Sequence, residues 1–118
     1  METIDPTTLL PLHPLEFRIL LVLLEGASHG YRIVRAIEER ERGISRIYPA
    51  NLYRRIRDLQ QKGLVEESAP PRGAGVDARR TYVRVTSLGR RVARLEAERL
   101  EVLVMEAREH RLLAEGGR

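Results

Sequence analysis

The stretch from Pro49 to Val65 limits the fold more than any other part of the chain. Leu52, Ile56 and Leu59 recur at spacings of four and three, so a helix places them on one side. Pro49 suits the first helical position, where its missing N–H is not needed, and Gly63 suits the stop. Opposite them stand Arg54, Arg57, Asp58 and Gln61, with Asn51, Tyr53 and Arg55 on the flanks. A front of this kind carries the side chains that read base edges and grip phosphates in a DNA major groove. An ordinary amphipathic helix with a solvated charged face has the same pattern, and this segment alone leaves both readings open.

The residues after Gly63 favour the first reading. Leu64 to Ser68 reads as a short strand, and residues 69–78, with two prolines and two glycines, as a turn-rich tip. Thr81 to Thr86 is β-branched and aromatic and alternates well enough for a return strand. The expectation is a recognition helix followed by a β-hairpin wing. Arg72, Arg79 and Arg80 fall at its tip and return, within reach of neighbouring phosphates or the minor groove.

The charge distribution agrees. Residues 51–91 contain 10 Lys and Arg against 4 Asp and Glu; residues 1–50 contain 6 against 7, and residues 92–118 contain 5 against 6. The positive excess behind the overall +4 is therefore confined to the helix and hairpin, as a nucleic-acid footprint requires.

Before this unit, Pro6, Pro11 and Pro14 forbid a regular helix ahead of position 14, and residues 1–13 read as a loose N-terminal arm. A first helix is expected from Pro14 to about Glu25, with Leu15, Ile19, Val22 and Leu23 inward and Gly26 as its stop. Ser28 is a good N-cap for a second helix, whose Tyr31, Ile33, Val34 and Ile37 are expected in the core. A charge cluster from Glu38 to Gly43 ends it, and Ile44 to Ile47 form an extended link.

The last segment has its own message. Thr86 or Ser87 caps a helix expected from Leu88 to about Ala114, roughly 27 residues and about 40 Å long. One apolar stripe contains Leu88, Val92, Leu95, Val102, Leu103 and Leu113. The opposite one contains Ala93, Ala97, Leu100, Val104 and Ala107 at spacings of 4, 3, 4 and 3, the rhythm of a helix–helix seam. A domain this small cannot cover both sides, so one stripe is expected on its own winged helix or arm and the other on a partner subunit. A monomer with a solvated tail is the alternative.

Several of these residues together carry a family resemblance. Ile19 to Gly26, then Ser28-His29-Gly30-Tyr31-Arg32-Ile33, Pro49 to Leu59 with Gly63-Leu64-Val65, and Arg80 to Thr86 with Leu88-Gly89 resemble the PadR family of transcriptional regulators in order and spacing. The resemblance implies a winged-helix DNA-binding domain, a C-terminal dimerisation helix and, usually, repression. It places Asn51, Tyr53 and Arg54 at the exposed start of the recognition helix, where bases or phosphates are met. Arg57 and Gln61 follow on the same face as backbone contacts, and His29 and Tyr31 begin the second helix within reach of a phosphate; for Tyr31 a plain core position is the stronger alternative. Where the family has a small capping residue, this chain has Tyr48 before Pro49. The resemblance also implies a small hydrophobic or aromatic effector near a dimer interface. The chain has no tryptophan and a single phenylalanine, Phe17, so a ring-stacking site lacks its usual residues; Phe17, Leu21, Val102 and Met105 are candidates for a small apolar pocket, against ordinary core packing.

The fold class expected is mainly α with a small β-hairpin: arm 1–13, winged helix-turn-helix 14–86, and dimerisation helix and tail 87–118. Two half-sites read by a homodimer would make a palindromic operator, spaced by roughly 10 base pairs. The absence of cysteine excludes a disulfide framework and thiolate zinc sites. The N-terminus has no basic n-region of a signal peptide, and the apolar run from Ile19 to Leu24 is too short to span a bilayer, so a cytoplasmic protein without membrane contact is expected. His13, His29 and His110 are far apart in sequence, and Gly73-Ala74-Gly75 has no helix after it, so neither catalysis nor a cofactor is expected. Glu106 with His110 has metal-ligand spacing but reads better as a surface pair. A winged helix serving protein contact alone is the competing function; it calls for an acidic or apolar third-helix face, and this one is basic.

Overall fold

The computed structural model describes residues 4–41 and 46–114. Ile44 and Ser45 of the expected link lie outside the described residues. A 3-10 turn, Pro6–Leu9, is followed by α1 (Pro14–Leu23), β1 (Ser28–His29), α2 (Gly30–Arg40), α3 (Pro49–Gln61), β2 (Val65–Ser68), a second 3-10 turn (Gly75–Arg79), β3 (Tyr82–Val85) and α4 (Ser87–Glu109). The strands form one antiparallel sheet in the order β1-β3-β2. Mostly helical with a small three-stranded sheet, this is a winged helix-turn-helix followed by a long helix.

The core is built from the periodic apolar positions. Ile19, Leu20 and Leu23 of α1, Ile33 and Ile37 of α2, and Leu52, Ile56 and Leu59 of α3 meet Leu64, Val65, Val83 and Val85 of the hairpin. Each such side chain contributes about 1.5–3 kcal/mol on full burial. α1 ends at Leu23, two residues short of the expected Glu25, and Gly26 follows in the turn at φ +141°; the α3 stop falls at Gly63, φ +77°, in the left-handed region that glycine enters freely.

Four further details depart from the sequence expectations. The arm is not loose over its described length: Leu12 is buried and its N–H donates to Glu96 Oε1 of α4 at 3.4 Å. The α2 cap is His29 rather than Ser28, because Ser28 and His29 pair with Val83 and Tyr82 as a third strand, leaving His29 Nδ1 to accept from the Arg32 N–H at 3.3 Å. Tyr31 is not in the core but 46% exposed. Finally, α4 ends at Glu109 rather than near Ala114, and Arg111 follows at φ +61°.

Two carboxylates are buried as deeply as leucines. Glu16, 2% exposed, completes a capping box by accepting from the His13 N–H at 3.1 Å, and accepts from Lys62 Nζ at 3.1 and 3.3 Å. Glu96 accepts two hydrogen bonds from Arg99, which hold its carboxyl below the usual range, and a third from Leu12 N–H. A buried charge requires such partners. Charge count alone puts acidic residues on the surface, so neither role was visible in the sequence.

Thr86 joins wing to α4: its hydroxyl accepts from the Gly89 N–H at 3.0 Å and donates to the Gly63 carbonyl at 2.6 Å. Gly89 packs so closely on the Leu64 carbonyl that no side chain fits there. Val92, Ala93 and Glu96 are buried, and beyond Leu100 the helix runs clear of the body.

Candidate nucleic-acid interface

The fold places the charged face of α3 outward because Leu52, Ile56 and Leu59 occupy its back. Asn51, Tyr53, Arg54, Arg57 and Gln61 are all exposed, while Asp58 and Arg55 are half-buried and face each other at 3.8 Å. The first turn of α3 holds no acidic residue and no side-chain cap; Tyr48 offers only its carbonyl, to the N–H of Asn51 and Leu52. The opening N–H groups thus present a positive helix end, suited to an anion. Among the described residues, Arg54 and Arg57 have no ion-pair partner, whereas Arg18, Arg35 and Arg40 of α1 and α2 each face a carboxylate.

Tyr53 sits at the flank of this face, and its ring lies over the backbone of Gly30, where an added Cβ would meet Cε1 and Oη at 2.7 Å. Glycine at this position is therefore what lets the Tyr53 ring lie against the start of α2.

The wing carries Arg72 and Arg79 exposed and without an ion-pair partner among the described residues. Arg80 is folded back, with its Nε donating to Asp77 Oδ1 at 3.2 Å and its guanidinium 5.2 Å from the centre of the Tyr31 ring. Arg84 is paired across the hairpin with Glu66 at 2.8 Å. His29 lies inside the fold: its side chain is 5% exposed, it meets the Tyr82 ring edge-on at 5.2 Å, and Nε2 faces Asp77 at 3.8 Å. Burial, and then the charge of Arg80, push its pKa below the usual 6.5. Nδ1 is committed to the start of α2 and the ring is buried, so His29 shapes this surface from beneath, and of the two candidates at the start of α2 only Tyr31 is exposed. Arg32 and Arg35, which the sequence reading passed over, stand beside Tyr31; their spacing opposite Ile33 and Ile37 was the available signal.

On α4 the two stripes do not divide as expected. Ala93, from the alanine seam, is 4% exposed in the chain's own core beside Val92 of the opposite stripe. That burial leaves Ala93 no surface for a second chain. Ala97 and Val104 are exposed and Leu100 and Ala107 half-buried, while Val102, Leu103 and Met105 are open as well. The division runs along the helix, with its first three turns packed inward and its distal half bare on both stripes. Phe17 and Leu21 line a groove of about 360 Å³ with Leu12, Pro14 and Leu100, whereas Val102 and Met105 lie outside it, further along α4. Among the described residues no three potential ligands converge on a metal position, and no helix is long and apolar enough to cross a membrane.

Residues 19–95 match the family model described as the transcriptional regulator PadR-like family. The chain belongs to the PadR-like family. A transcriptional regulator from Clostridium thermocellum has the same fold, with a TM-score of 0.70 at 23% identity over 91% of this chain and 97% of that one. A PadR family transcription regulator from Clostridium difficile superposes with a TM-score of 0.68 at 18% identity, covering 83% and 98%. Bacillus subtilis PadR, solved in complex with operator DNA, gives 0.58 at 19% identity, covering 71% of this chain and 46% of its own. A search of curated proteins finds no match. PadR-like proteins are transcription regulators, not enzymes, and the match stops at Leu95, before the part of α4 beyond Leu100 that runs clear of the body.

Proposed function

We propose that the protein binds double-stranded DNA as a homodimer, reads a palindromic operator with α3 and represses transcription from it. The observation that carries this reading is the front of α3, where Arg54 and Arg57 stand exposed and unpaired beside Asn51, Tyr53 and Gln61. Asn51, Tyr53 and Arg54 take the base edges or nearest phosphates, Arg57 and Gln61 the backbone, and Arg72 and Arg79 the flank beneath the wing. The operator complex of Bacillus subtilis PadR supports the same use of the fold. In this division residues 14–86 bind DNA and residues 87–118 carry the dimer contact.

The homodimer rests on the distal half of α4, where Val102, Leu103, Val104 and Met105 are all exposed in consecutive positions. A bare apolar surface of this kind on a small protein marks a contact with another chain. Ala97, Leu100, Val104 and Ala107 form the seam, and the helix supplies the twofold axis that a palindrome with half-sites roughly 10 base pairs apart requires.

Fluorescence anisotropy with duplex DNA from the protein's own upstream region, against scrambled DNA at several salt concentrations, tests the proposal. Binding that prefers the upstream duplex and weakens steeply with salt is expected. Arg54→Ala with Arg57→Ala should lose about 1–3 kcal/mol per arginine while leaving helicity and oligomer mass intact. Leu100→Glu with Val104→Glu should split the dimer first and weaken DNA binding as a consequence. A monomeric mass for the unmutated protein refutes the dimer, and equal weak binding to both duplexes refutes sequence-specific reading of the upstream region.

A further inference from the structure

A cleft of about 380 Å³ opens between the start of α2 and the 3-10 turn of the wing. Arg32 and Arg35 enter it from α2, and Arg80 from the end of the wing. Two of them lie against the exposed ring of Tyr31, with the Arg35 guanidinium 5.8 Å and that of Arg80 5.2 Å from its centre. Arg35 donates to the Tyr31 hydroxyl at 3.3 Å, while Arg32 has no side-chain partner among the described residues. Two carboxylates share the cleft. Glu39 is held only loosely by Arg35, at 4.0 Å, and lies 72% exposed. Asp77 lies further in, at 3.2 Å from Arg80 Nε and 3.8 Å from His29 Nε2. Because His29 Nδ1 accepts the Arg32 N–H, the neutral ring carries its proton on Nε2, facing Asp77.

Arg80 and His29 thus turn toward the wing's own Asp77, while Arg32 lines the same cleft without a side-chain partner and Arg35 is held only by Tyr31 and, loosely, Glu39, so the cleft carries more donors than its carboxylates satisfy. We infer that the cleft grips a backbone phosphate of DNA outside the groove entered by α3, and that Asp77 stands in for this phosphate while DNA is absent. This inference rests on the DNA-binding reading above. The walls of the cleft identify the phosphate as part of a DNA strand. Tyr31 and Arg35 also line the adjoining cleft of about 440 Å³, which is completed by Pro49, Leu52 and Tyr53 of α3. One continuous surface thus runs from the start of the recognition helix to the wing. The Asp77–Arg80 pair is half-exposed on both sides, a class of ion pair that is weak and readily exchanged for a phosphate.

The test uses the full chain and the labelled upstream duplex, with anisotropy measured across a salt series. Asp77→Asn removes the internal competitor and should tighten binding about two- to fivefold. Arg32→Ala with Arg35→Ala should flatten the slope of log K against log salt by about 0.9, the value for one phosphate. Arg94→Ala with Arg111→Ala removes equal charge elsewhere and should leave that slope unchanged. All these side chains are at least partly exposed, and thermal melts confirm that each variant is folded. Weaker or unchanged binding by Asp77→Asn overturns the inference, as does an Arg32/Arg35 variant that matches the Arg94/Arg111 control. A melting temperature raised by inorganic phosphate, with DNA binding indifferent to the cleft variants, assigns the cleft to a free anion and also overturns it. If Arg54 and Arg57 matter and the cleft does not, this inference alone fails; if no variant matters because nothing binds, the DNA-binding reading fails with it.

Discussion

Gly30→Ala separates packing from function in one substitution. The new Cβ would lie 2.7–2.8 Å from Cε1, Oη and Cζ of Tyr53, too close for any carbon, so the ring must move. It has room to do so: Tyr53 is 48% exposed and anchors nothing in the core. Moving it off its preferred rotamer costs about 0.5–1.5 kcal/mol. Alanine in a helix recovers up to about 1 kcal/mol over glycine. The two nearly cancel, and the expected net change is within about 1 kcal/mol, or roughly 4–8 °C in melting temperature at most. DNA binding should respond more clearly. With the ring displaced, Tyr53 no longer stands beside Asn51 and Arg54, and losing one hydrogen-bonded contact costs about 1 kcal/mol, about fivefold in affinity. Thermal denaturation followed by circular dichroism, alongside anisotropy on the upstream duplex, measures both. A fall well beyond 8 °C would show that the ring cannot yield and that Gly30 is a packing requirement. Unchanged affinity would remove Tyr53 from the interface.

Gly89→Ala should behave in the opposite way, because its Cβ meets the Leu64 carbonyl rather than a free ring, and that carbonyl already accepts from the Thr86 N–H at 3.0 Å. Overpacking of this kind costs about 1–3 kcal/mol, so a urea midpoint at or above that of the unmutated protein would disprove the close approach. Because burial pushes His29 below 6.5, its contribution to stability is complete above about pH 6.5 and is lost as the pH falls below it, where the unfolded chain takes up the proton first. Urea midpoints compared at about pH 7.5 and 5.5 should show a drop that His29→Asn, which keeps a capping side chain, makes smaller; equal drops in both proteins would assign the acid sensitivity to other groups.

Legibility in the sequence followed the strength of the local signal. The spacing of Leu52, Ile56 and Leu59 between Pro49 and Gly63 specified α3 almost to the residue, because periodicity, start and stop all agreed. The hairpin was legible for the same reason, from β-branched residues around a Gly/Pro-rich tip. Ser28 has a good capping side chain, but that says nothing about a two-residue strand, which exists only when Val83 and Tyr82 arrive to pair with Ser28 and His29. The aromatic character of Tyr31 favours the core, yet in a helix the neighbours decide, and its face is shared with Arg35. On α4 the heptad spacing correctly marked apolar surface but not where the chain's own body stops covering it. That limit depends on how far α1 and the arm reach, which no local pattern in α4 contains.

The buried carboxylates give the remaining connection, between the DNA-facing side and the distal helix. Lys62, at the end of α3, donates to Glu16; Glu16 accepts from the His13 N–H; the neighbouring Leu12 N–H donates to Glu96; and Glu96 is held by Arg99 on α4. A continuous chain of charge-assisted bonds thus runs from the recognition helix through the arm to the helix proposed for dimerisation. Continuity in space is not coupling, and a double-mutant cycle decides between them. Lys62→Gln and Glu96→Gln each keep a polar group in place and touch no residue of the proposed DNA face. If the arm transmits strain between its two anchors, their combined effect on DNA affinity should depart from the sum of the singles by about 0.5–2 kcal/mol. Additivity within about 0.3–0.5 kcal/mol would reduce the path to two independent local anchors. The arm would then matter only for holding α4 against the core.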